Sequence, residues 1–392
     1  MEIPLIYINE RSGLNMKVVT IQAGDSLYKI GKEYGVSVEQ LVEANGIDPH
    51  KYLVIGDSLI VPSPQEKSGE LEVNGYAYPF IDRAVLKKTL PYLTYLSIFS
   101  YGITDEGDLV PPPLPDEPLI QEAKAAGVAP LLVLTTVDES GGFNSERSVR
   151  LLESQEARAN LAAQLKQVMM EKGYYGVDVD MEYIPGNLRQ DYTDLVAYLK
   201  EQLAPALVFV ALAPKTSRDQ RGLLYEAHDY EGMGKAADRT LIMTYEWGYA
   251  FGPPMAVAPL PNVRRVMDYA LQEIPPEKLL MGIPNYGYDW KIPFDRNFPA
   301  RTIGNYEAIA IARKYGANIQ YDQTAQSPWF RYYDARRQEH EVWFEDARSY
   351  LAKMNLVKEL GIKGISIWNV MRWYKPLYSI IDSLFDVRKI NR

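Results

Sequence analysis

The chain has 392 residues, of which 47% are hydrophobic and 24% charged, a balance typical of folded globular proteins and not of disordered chains. Its 42 Lys and Arg against 51 Asp and Glu give a net charge of −9, which argues against nonspecific binding to nucleic acid or to an anionic membrane. There is no cysteine and there are only three histidines, so thiolate chemistry is excluded and we expect neither a metal site nor a cofactor. No apolar run approaches the ~20 residues of a membrane span, and the first residues lack the features of a secretory signal.

Residues 17–62 form the first predicted unit, in the order strand, helix, helix, strand. KVVTIQ alternates as a strand does, Ser26 is the expected N-cap of a first helix, and Ser37 with Gln40 forms a capping box for a second. SLIVP closes the unit as a strand. We assign no role to residues 1–16, and the polar residues 63–71, which contain Pro and Gly, are predicted to be a linker.

This first unit resembles a LysM module in its segments QAGDSLYKI, LVEANGI and IGDSLIVP, which occur in the right order and spacing. The resemblance implies binding of glycans that contain N-acetylglucosamine (GlcNAc), in a groove between the loop after the first strand and the loop after the second helix. The groove residues carried over by position are Gly24, Asp25, Ser26, Leu27, Asn45, Gly46, Ile47 and Asp48. Such glycines and aspartates also suit plain turns, so that alternative stays open.

Residues 72–385 alternate eight strand-like segments with helical patterns, which fits an α/β fold of the (β/α)₈ barrel type. A doubly wound open sheet is the alternative, but no Gly-rich phosphate turn follows the first strand. The seventh strand is predicted as LLMGIPNYGYDW, and residues 291–340 after it are too long for one loop. We therefore expect a small α+β insertion there, on the functional face of the barrel. The helical patterns run from Ser145 to Lys172, Leu188 to Leu203, Val263 to Glu273 and Ala347 to Leu360.

The segment YGVDVDME, residues 175–182, carries the main chemical signal. Because side chains alternate along a strand, Asp178, Asp180 and Glu182 share one face at a spacing of ~6.6 Å. Burial and mutual repulsion raise the pKa of at least one such carboxyl, as a general acid requires. Glu182 ends the strand, where barrel enzymes hold their chemistry. A solvated acidic edge is one alternative, and a Mg²⁺ or Ca²⁺ site is another, although this spacing is too coarse for ligand distances of roughly 2–2.6 Å.

The same segment resembles the D-x-x-D-x-D-x-E motif of glycoside hydrolase family 18 at Asp178, Asp180 and Glu182, with Tyr175 in the place of the first Asp. The resemblance implies a retaining, substrate-assisted mechanism, in which the 2-acetamido group of the substrate attacks its own anomeric carbon. Glu182 would protonate the glycosidic oxygen, Asp180 would orient the acetamido group, and Asp178 would tune the charge behind them. Tyr175 leaves the outer end of this carboxylate row open.

Other predicted strand ends agree with that resemblance. TLIMTYEW is similar to the family's M-x-Y-D motif through Met243 and Tyr245, with Glu246 in the usual Asp place, and this implies a hydrogen bond from Tyr245 to the acetamido carbonyl. GISIWNV places Trp368 where the family has an indole floor beneath the scissile sugar. Two further candidates for this aromatic platform, for which core packing is the alternative, are Trp247 and Trp290.

The match to the family covers about residues 72–385. Residues 214–234 and 320–346 resemble its spore-associated members, which pair LysM modules with this barrel. The resemblance therefore implies a hydrolase of peptidoglycan (spore cortex) that cleaves after GlcNAc and works in the spore coat, the cortex or the cell wall. We expect the chain to be a monomer, although its sequence does not determine the oligomeric state. A chitinase and a catalytically silent glycan-binding protein are the alternatives.

Overall fold

The computed structural model describes residues 16–64, 66–137 and 142–390. The N-terminal segment to which no role was assigned therefore lies, except for Met16, outside the described residues. Within the described part of the chain, no helix is long and apolar enough to cross a membrane.

The N-terminal unit has the predicted order of elements, with its two strands paired antiparallel. Its elements are β1 (Lys17–Thr20), α1 (Leu27–Tyr34), α2 (Val38–Asn45) and β2 (Ser58–Val61). Ser26 caps α1 by accepting a hydrogen bond from the Lys29 N–H, and Ser37 with Gln40 forms the expected capping box at α2. The unit has a small core of its own, which consists of Ile21, Leu27, Ile30, Leu41, Leu59 and Val61.

The rest of the described chain is a larger α/β domain. In chain order its elements are β3 (Glu70–Ala77), α3 (Arg83–Thr89), β4 (Tyr95–Ile103), β5 (Leu109–Val110), α4 (Glu117–Ala125), β6 (Ala129–Thr135), α5 (Ser145–Glu153), α6 (Gln155–Lys172), β7 (Gly176–Asp180), α7 (Arg189–Gln202), β8 (Leu207–Leu212), α8 (Tyr230–Ala236), β9 (Arg239–Ile242), α9 (Leu260–Glu273), β10 (Leu279–Pro284), β11 (Gly287–Ile292), β12 (Arg301–Ile303), α10 (Asn305–Tyr315), β13 (Gln320–Asp322), β14 (Ser327–Tyr333), β15 (Glu339–Trp343), α11 (Ala347–Leu360), β16 (Gly364–Trp368), α12 (Lys375–Leu384) and β17 (Asp386–Val387).

Eight of these strands close into a barrel. They pair in parallel in the order β3, β4, β6, β7, β8, β9, β10 and β16, and β16 returns to pair with β3. The predicted (β/α)₈ barrel is therefore confirmed. Its interior is filled mainly by Tyr76, Tyr95, Ala129, Leu131, Val133, Phe209, Ala211, Leu241 and Leu280. The larger core lies between the strands and the surrounding helices, and Val177, Val179 and Met181 belong to it.

Two predicted elements are each divided in the structure. The helical pattern from Ser145 to Lys172 forms two helices, because Ser154 adopts an extended conformation (φ −105°, ψ 117°) and caps α6 through the Ala157 N–H. The predicted seventh strand ends at Pro284, and the segment from Gly287 onward pairs with β12 and β15 instead. The insertion is thus an antiparallel sheet in the order β12, β11, β15, β14, β13, together with α10, and it begins earlier in the chain than position 291.

The N-terminal unit packs directly against the larger domain. The Tyr306 hydroxyl on α10 donates to the Asn45 carbonyl at 2.6 Å, and the Arg348 guanidinium on α11 donates to the Gly56 carbonyl at 2.9 Å. Gly56 has a φ of 83°, and a Cβ there would lie 1.8 Å from the Ile319 carbonyl oxygen. The loop before β2 therefore needs glycine for this close approach, and the two units are in contact beyond the connecting segment.

Candidate active site

A cleft of ≈ 600 Å³ opens where the barrel strands end. Among the described residues, its carboxyl groups are those of Asp180, Glu182 and Glu246. The rest of its lining is mostly apolar and aromatic and consists of Tyr76, Tyr78, Pro79, Phe80, Phe99, Ser100, Pro113, Leu114, Val137, Phe143, Ala211, Met243, Tyr245 and Trp368. An apolar cleft with a few converging polar groups is the usual form of a ligand site.

Asp178 lies deepest in the carboxylate row of β7, inside the barrel, and is fully buried. Ser97 Oγ donates to its Oδ2 at 2.7 Å. Burial raises the pKa of Asp178 to about 6, although the hydroxyls of Tyr76 and Ser97 act in the opposite direction. Asp178 is therefore a buried polar support behind the cleft and not part of its wall.

Asp180 ends β7 and lies in the cleft wall, 5% exposed. Its Oδ1 is buried, and no residue that the structure describes donates a hydrogen bond to it. Burial raises the pKa of Asp180 well above its ordinary value, and the charges of Glu182 and then Asp178 raise it further. An orphaned acceptor of this kind calls for a partner, which a ligand N–H in the cleft would supply.

Glu182 follows the end of the strand and reaches the cleft. The next residue, Tyr183, has a left-handed backbone (φ 57°), and its carbonyl accepts a hydrogen bond from Ser145 Oγ at 2.7 Å. Burial raises the pKa of Glu182 to about 7, with a further contribution from the negative charge of Glu246. Because Asp180 and Glu182 titrate together, the pair keeps a proton at neutral pH, as a general acid must.

Tyr245 lies beside these carboxyls, 9% exposed, and lines the cleft with Met243. Burial and the carboxyls of Asp180 and Glu182 raise the pKa of Tyr245 well above its ordinary value, so its hydroxyl keeps its proton. A Cβ on Gly282 in β10 would lie 2.7 Å from the Tyr245 ring. Glycine at position 282 is therefore what lets this ring lie against the strand.

Glu246 has a left-handed backbone (φ 67°) that turns its side chain toward the insertion. Its carboxylate accepts hydrogen bonds from the hydroxyls of Tyr286 and Tyr288, the latter at 3.0 and 3.1 Å. The residue as a whole is exposed, but its carboxylate is largely shielded from water, and this burial raises the pKa of Glu246. The hydrogen bonds from the two tyrosines act in the opposite direction. The sequence analysis missed both tyrosines, although their spacing of two within one predicted strand places them on one face.

Trp368 ends β16 and is half-buried in the cleft. Its ring meets those of Tyr76 and Phe99 edge-on, with centroids 5.3 Å away in each case. Tyr78 and Phe80 stack at 5.1 Å on the same side, and Phe80 is 64% exposed. The aromatic platform is therefore built from the ends of the first and second barrel strands around Trp368, and sequence reasoning missed these neighbours because single aromatics in strands carry no distinct signal.

The other two candidates for the aromatic platform, Trp247 and Trp290, do not line the cleft. Trp290 lies in β11 of the insertion, is 1% exposed, and donates its indole N–H to the Gly252 carbonyl at 2.8 Å. It is a core residue, because the strand to which we assigned it divides before it. Trp247 is half-buried and pairs its backbone N–H with the Val257 carbonyl at 3.1 Å, and it does not belong to the cleft lining given above.

In the predicted glycan groove of the N-terminal unit, the first loop is accessible. Gly24 is exposed with a φ of 85°, Asp25 Oδ2 accepts the Gln22 N–H at 2.7 Å, and Ser26 caps α1. Leu27 is 7% exposed and belongs to the core of the unit. Its side chain is therefore not a groove residue, because packing holds it inside.

The second loop of that predicted groove is partly covered. Asn45 is 1% exposed, and its side-chain amide donates to the carbonyls of Leu41 and Ile60, so it braces the fold and is not free for a sugar. A Cβ on Gly46 would lie 2.5 Å from the Tyr306 hydroxyl. The two remaining residues of this loop, one half-buried and one exposed, are Ile47 and Asp48.

Tyr175 precedes β7 and is 43% exposed. Its backbone N–H donates to the Pro130 carbonyl at 2.8 Å. The row of carboxyls thus begins at Asp178, whose carboxyl has the hydroxyls of Tyr76 and Ser97 beside it.

We expect Glu246→Gln to move the alkaline limb of the pH–rate profile to lower pH. In the wild type, kcat/KM should fall as pH rises through about 7, because Glu182, paired with Asp180, then loses its proton. The negative charge of Glu246 raises the pKa of Glu182, so its removal lowers that pKa. The measurement is kcat/KM against pH on a GlcNAc oligomer, the kind of substrate that the family resemblance implies. Glu201→Gln, on the exposed end of α7, is the control, and a limb that stays in place or moves upward in Glu246→Gln would contradict this interpretation.

A closed barrel with buried, proton-retaining carboxyls beneath an aromatic cleft fits the expected class of enzyme, a carbohydrate hydrolase. Residues 139–372 match the model of glycosyl hydrolases family 18, and residues 19–62 match the LysM domain. The chain belongs to glycosyl hydrolases family 18, is a glycosidase, and carries an N-terminal LysM domain.

Several relatives match over nearly their whole length. The chain is 37% identical over 430 residues to the cortical fragment-lytic enzyme of Bacillus subtilis (strain 168), which covers 95% of this chain and 99% of the relative. The crystal structure of the spore cortex-lytic enzyme SleL of Bacillus cereus superimposes with a TM-score of 0.93 at 31% identity, covering 97% of this chain and 100% of that one. SleL of Bacillus megaterium QM B1551 gives a TM-score of 0.80 at 35% identity, with 96% and 88% covered.

Proposed function

We propose that this chain hydrolyses spore cortex peptidoglycan, or fragments of it, after GlcNAc, with retention of configuration. One observation carries the choice of substrate: the match to the Bacillus subtilis cortical fragment-lytic enzyme extends over 99% of that protein and includes both domains. The match to a family in which the substrate's own acetamido group takes part in catalysis supports the choice of mechanism.

In this mechanism Glu182 is the acid. Its position in the cleft lets it protonate the oxygen of the glycosidic bond as that bond breaks. The pKa of Glu182, raised to about 7 by burial and by Glu246, keeps it protonated until the sugar arrives. After the leaving sugar departs, the resulting carboxylate accepts a proton from water, and that water opens the cyclic intermediate at C1.

Asp180 and Tyr245 handle the acetamido group. The orphaned Oδ1 of Asp180 accepts the acetamido N–H, which turns the acetamido oxygen toward C1 and stabilises the positive charge of the ring that forms. The protonated Tyr245 hydroxyl donates to the acetamido oxygen from the other side. Trp368 supports the apolar face of the same sugar, with Met243 and Glu246 at the edge of the site.

The LysM domain belongs to the same proposal as a binding surface for GlcNAc polymers. Its groove consists of Gly24, Asp25 and Ser26 on one side and of Ile47 and Asp48 on the other. Direct packing against α10 and α11 places this groove beside the larger domain. Such a chain works at the cortex or the wall, where its polymer is.

The experiment is mass spectrometry of the products released from purified cortex fragments, with chitin oligomers digested in parallel. The proposal expects fragments with GlcNAc at the new reducing end and a higher kcat/KM on cortex fragments than on chitin oligomers. A preference for chitin would identify a chitinase instead. Saturable binding without any product, even at mildly acidic pH, would identify a silent glycan-binding protein.

A further inference from the structure

His228 is a buried imidazole that contacts the catalytic strand from a neighbouring loop. It lies in the segment between β8 and α8 and is 1% exposed. Its Nδ1 accepts the backbone N–H of Ala213 at 2.7 Å, so the ring proton is on Nε2. His228 Nε2 lies 3.3 Å from the carbonyl oxygen of Met181 and donates its hydrogen to it. Met181 is the residue between Asp180 and Glu182.

Several contacts hold the imidazole in this place. Buried Lys215 donates from Nζ to the His228 carbonyl at 3.0 Å. The Tyr230 hydroxyl donates to the Ala213 carbonyl at 2.6 Å and accepts the Lys215 N–H at 2.9 Å. The Tyr192 ring packs against the imidazole with centroids 5.8 Å apart. The segment is therefore anchored on both sides of His228 independently of its contact with Met181.

The imidazole is uncharged at neutral pH. Burial lowers the pKa of His228 to about 4, so the ring adds no charge beside the carboxyls at neutral pH. A neutral ring with one tautomer presents a fixed N–H donor and cannot exchange its role with the acceptor side. Its contribution is therefore geometric and not electrostatic.

We propose that His228 is a positioning residue, whose Nε2–H fixes the Met181 carbonyl and thereby the directions in which Asp180 and Glu182 leave the end of β7. The strand's regular pairing ends at Asp180, so Met181 and Glu182 lack a ladder to hold them. A rotation of the 181–182 peptide would move the Glu182 carboxyl relative to the sugar oxygen. This inference rests on the roles proposed above for Glu182 and Asp180.

The test separates the two hydrogen bonds of the ring. His228→Asn retains an oxygen at the position of Nδ1 for the Ala213 N–H but removes the donor to Met181, whereas His228→Gln places an N–H near the position of Nε2. We expect His228→Asn to lower kcat by ~10-fold or more with KM nearly unchanged, since small misplacements of catalytic groups have large effects on rate. His228→Gln should recover most of that loss. Thermal unfolding midpoints, and kcat and KM on cortex fragments and on a GlcNAc oligomer, are measured for the full chain.

Four outcomes would overturn the inference. Two are wild-type kcat in His228→Asn and equal losses of kcat in the Asn and Gln variants with intact folds. The other two are a loss that appears only in KM and a loss that follows the unfolding midpoint. Glu182→Gln is measured in the same series. Full activity of Glu182→Gln would refute the assignment of the acid itself, whereas inactive Glu182→Gln beside a fully active His228→Asn would refute only the positioning role.

Discussion

Replacing Glu182 with glutamine should lower the release of reducing ends by ~10³-fold or more, since in the proposed mechanism this carboxyl acts both as the acid and as the base. Glutamine has nearly the same shape but no proton of suitable pKa, and no described residue in the cleft other than Asp180 and Glu246 offers a carboxyl. In the proposed mechanism Asp180 binds the acetamido group, and Glu246 accepts hydrogen bonds from two tyrosines. Neither can therefore substitute, and the measurement is kcat on cortex fragments.

The control for this loss is Glu201→Gln, an identical change on an exposed helical position that should keep wild-type activity. Binding provides a second check, because Glu182→Gln should still bind GlcNAc oligomers with near wild-type affinity. If the variant keeps even a tenth of the wild-type kcat, another group is the acid.

Glu182→Gln should lose activity but gain stability against unfolding at alkaline pH. The folded pKa of Glu182, about 7, is raised above its ordinary value, so its ionised form is disfavoured in the folded protein. The contribution of Glu182 to stability is thus fully present at low pH and is lost as pH rises through about 7. Glu182→Gln removes this dependence, and its unfolding midpoint relative to the wild type should be higher at pH 8 than at pH 5.

The sequence predicted the barrel and the acidic end of β7 because both depend on local pattern. Alternation alone places Val177 and Val179 toward the helices and Asp178 and Asp180 inside, and the structure has them there. It cannot say which hydroxyls surround the row. Ser97 comes from the second barrel strand, far away in the chain, and only closure of the barrel brings it to Asp178.

The differences between expectation and structure also have tertiary causes. Trp290 follows the segment PNYGYD, whose Pro284, Asn285 and Gly287 suit a break between strands, and its strand divides there because β15 offers a different partner. Asn45 fits the motif of a binding loop, yet its side-chain amide donates a hydrogen bond to the Ile60 carbonyl of β2. In both cases the local pattern predicted the right kind of element, but a partner far away in the chain determined where the residue lies.

The packing of the LysM domain against the larger domain is a further feature that the sequence did not predict. Residues 63–71 resemble a linker in composition, and a free linker would make the domain a mobile tether. In the structure, the side chains of Tyr306 and Arg348 on the larger domain donate hydrogen bonds to the backbone carbonyls of Asn45 and Gly56. Which polar side chains of a helix will contact another domain is not visible in one sequence, because on the helix surface such residues look like ordinary solvent-exposed ones.

Asp180→Asn should separate catalysis from stability at the other member of the pair. The variant keeps the shape of the side chain but has no negative charge to stabilise the cyclic intermediate, and we expect kcat to fall by ~10²-fold or more with a small change in KM. Burial and Glu182 raise the pKa of Asp180 in the folded protein, so its ionised form weakens the fold as pH rises. Asparagine cannot ionise, and the unfolding midpoint should therefore rise at neutral and alkaline pH.

The control is Asp268→Asn, the same change on the exposed face of α9, which should alter neither kcat nor the pH dependence of unfolding.

The decisive substrate is one in which the acetamido group carries fluorine. Fluorine weakens the attack of the acetamido oxygen on C1, so the wild-type rate should fall steeply, and the small remaining rate of Asp180→Asn should respond less. If fluorination slowed neither protein, the acetamido group would not be the nucleophile, and Asp180 would have to act on the sugar in another way. A buried carboxyl that weakens the fold and still lines the cleft is best explained by a role in the reaction, since packing alone would favour an uncharged side chain there.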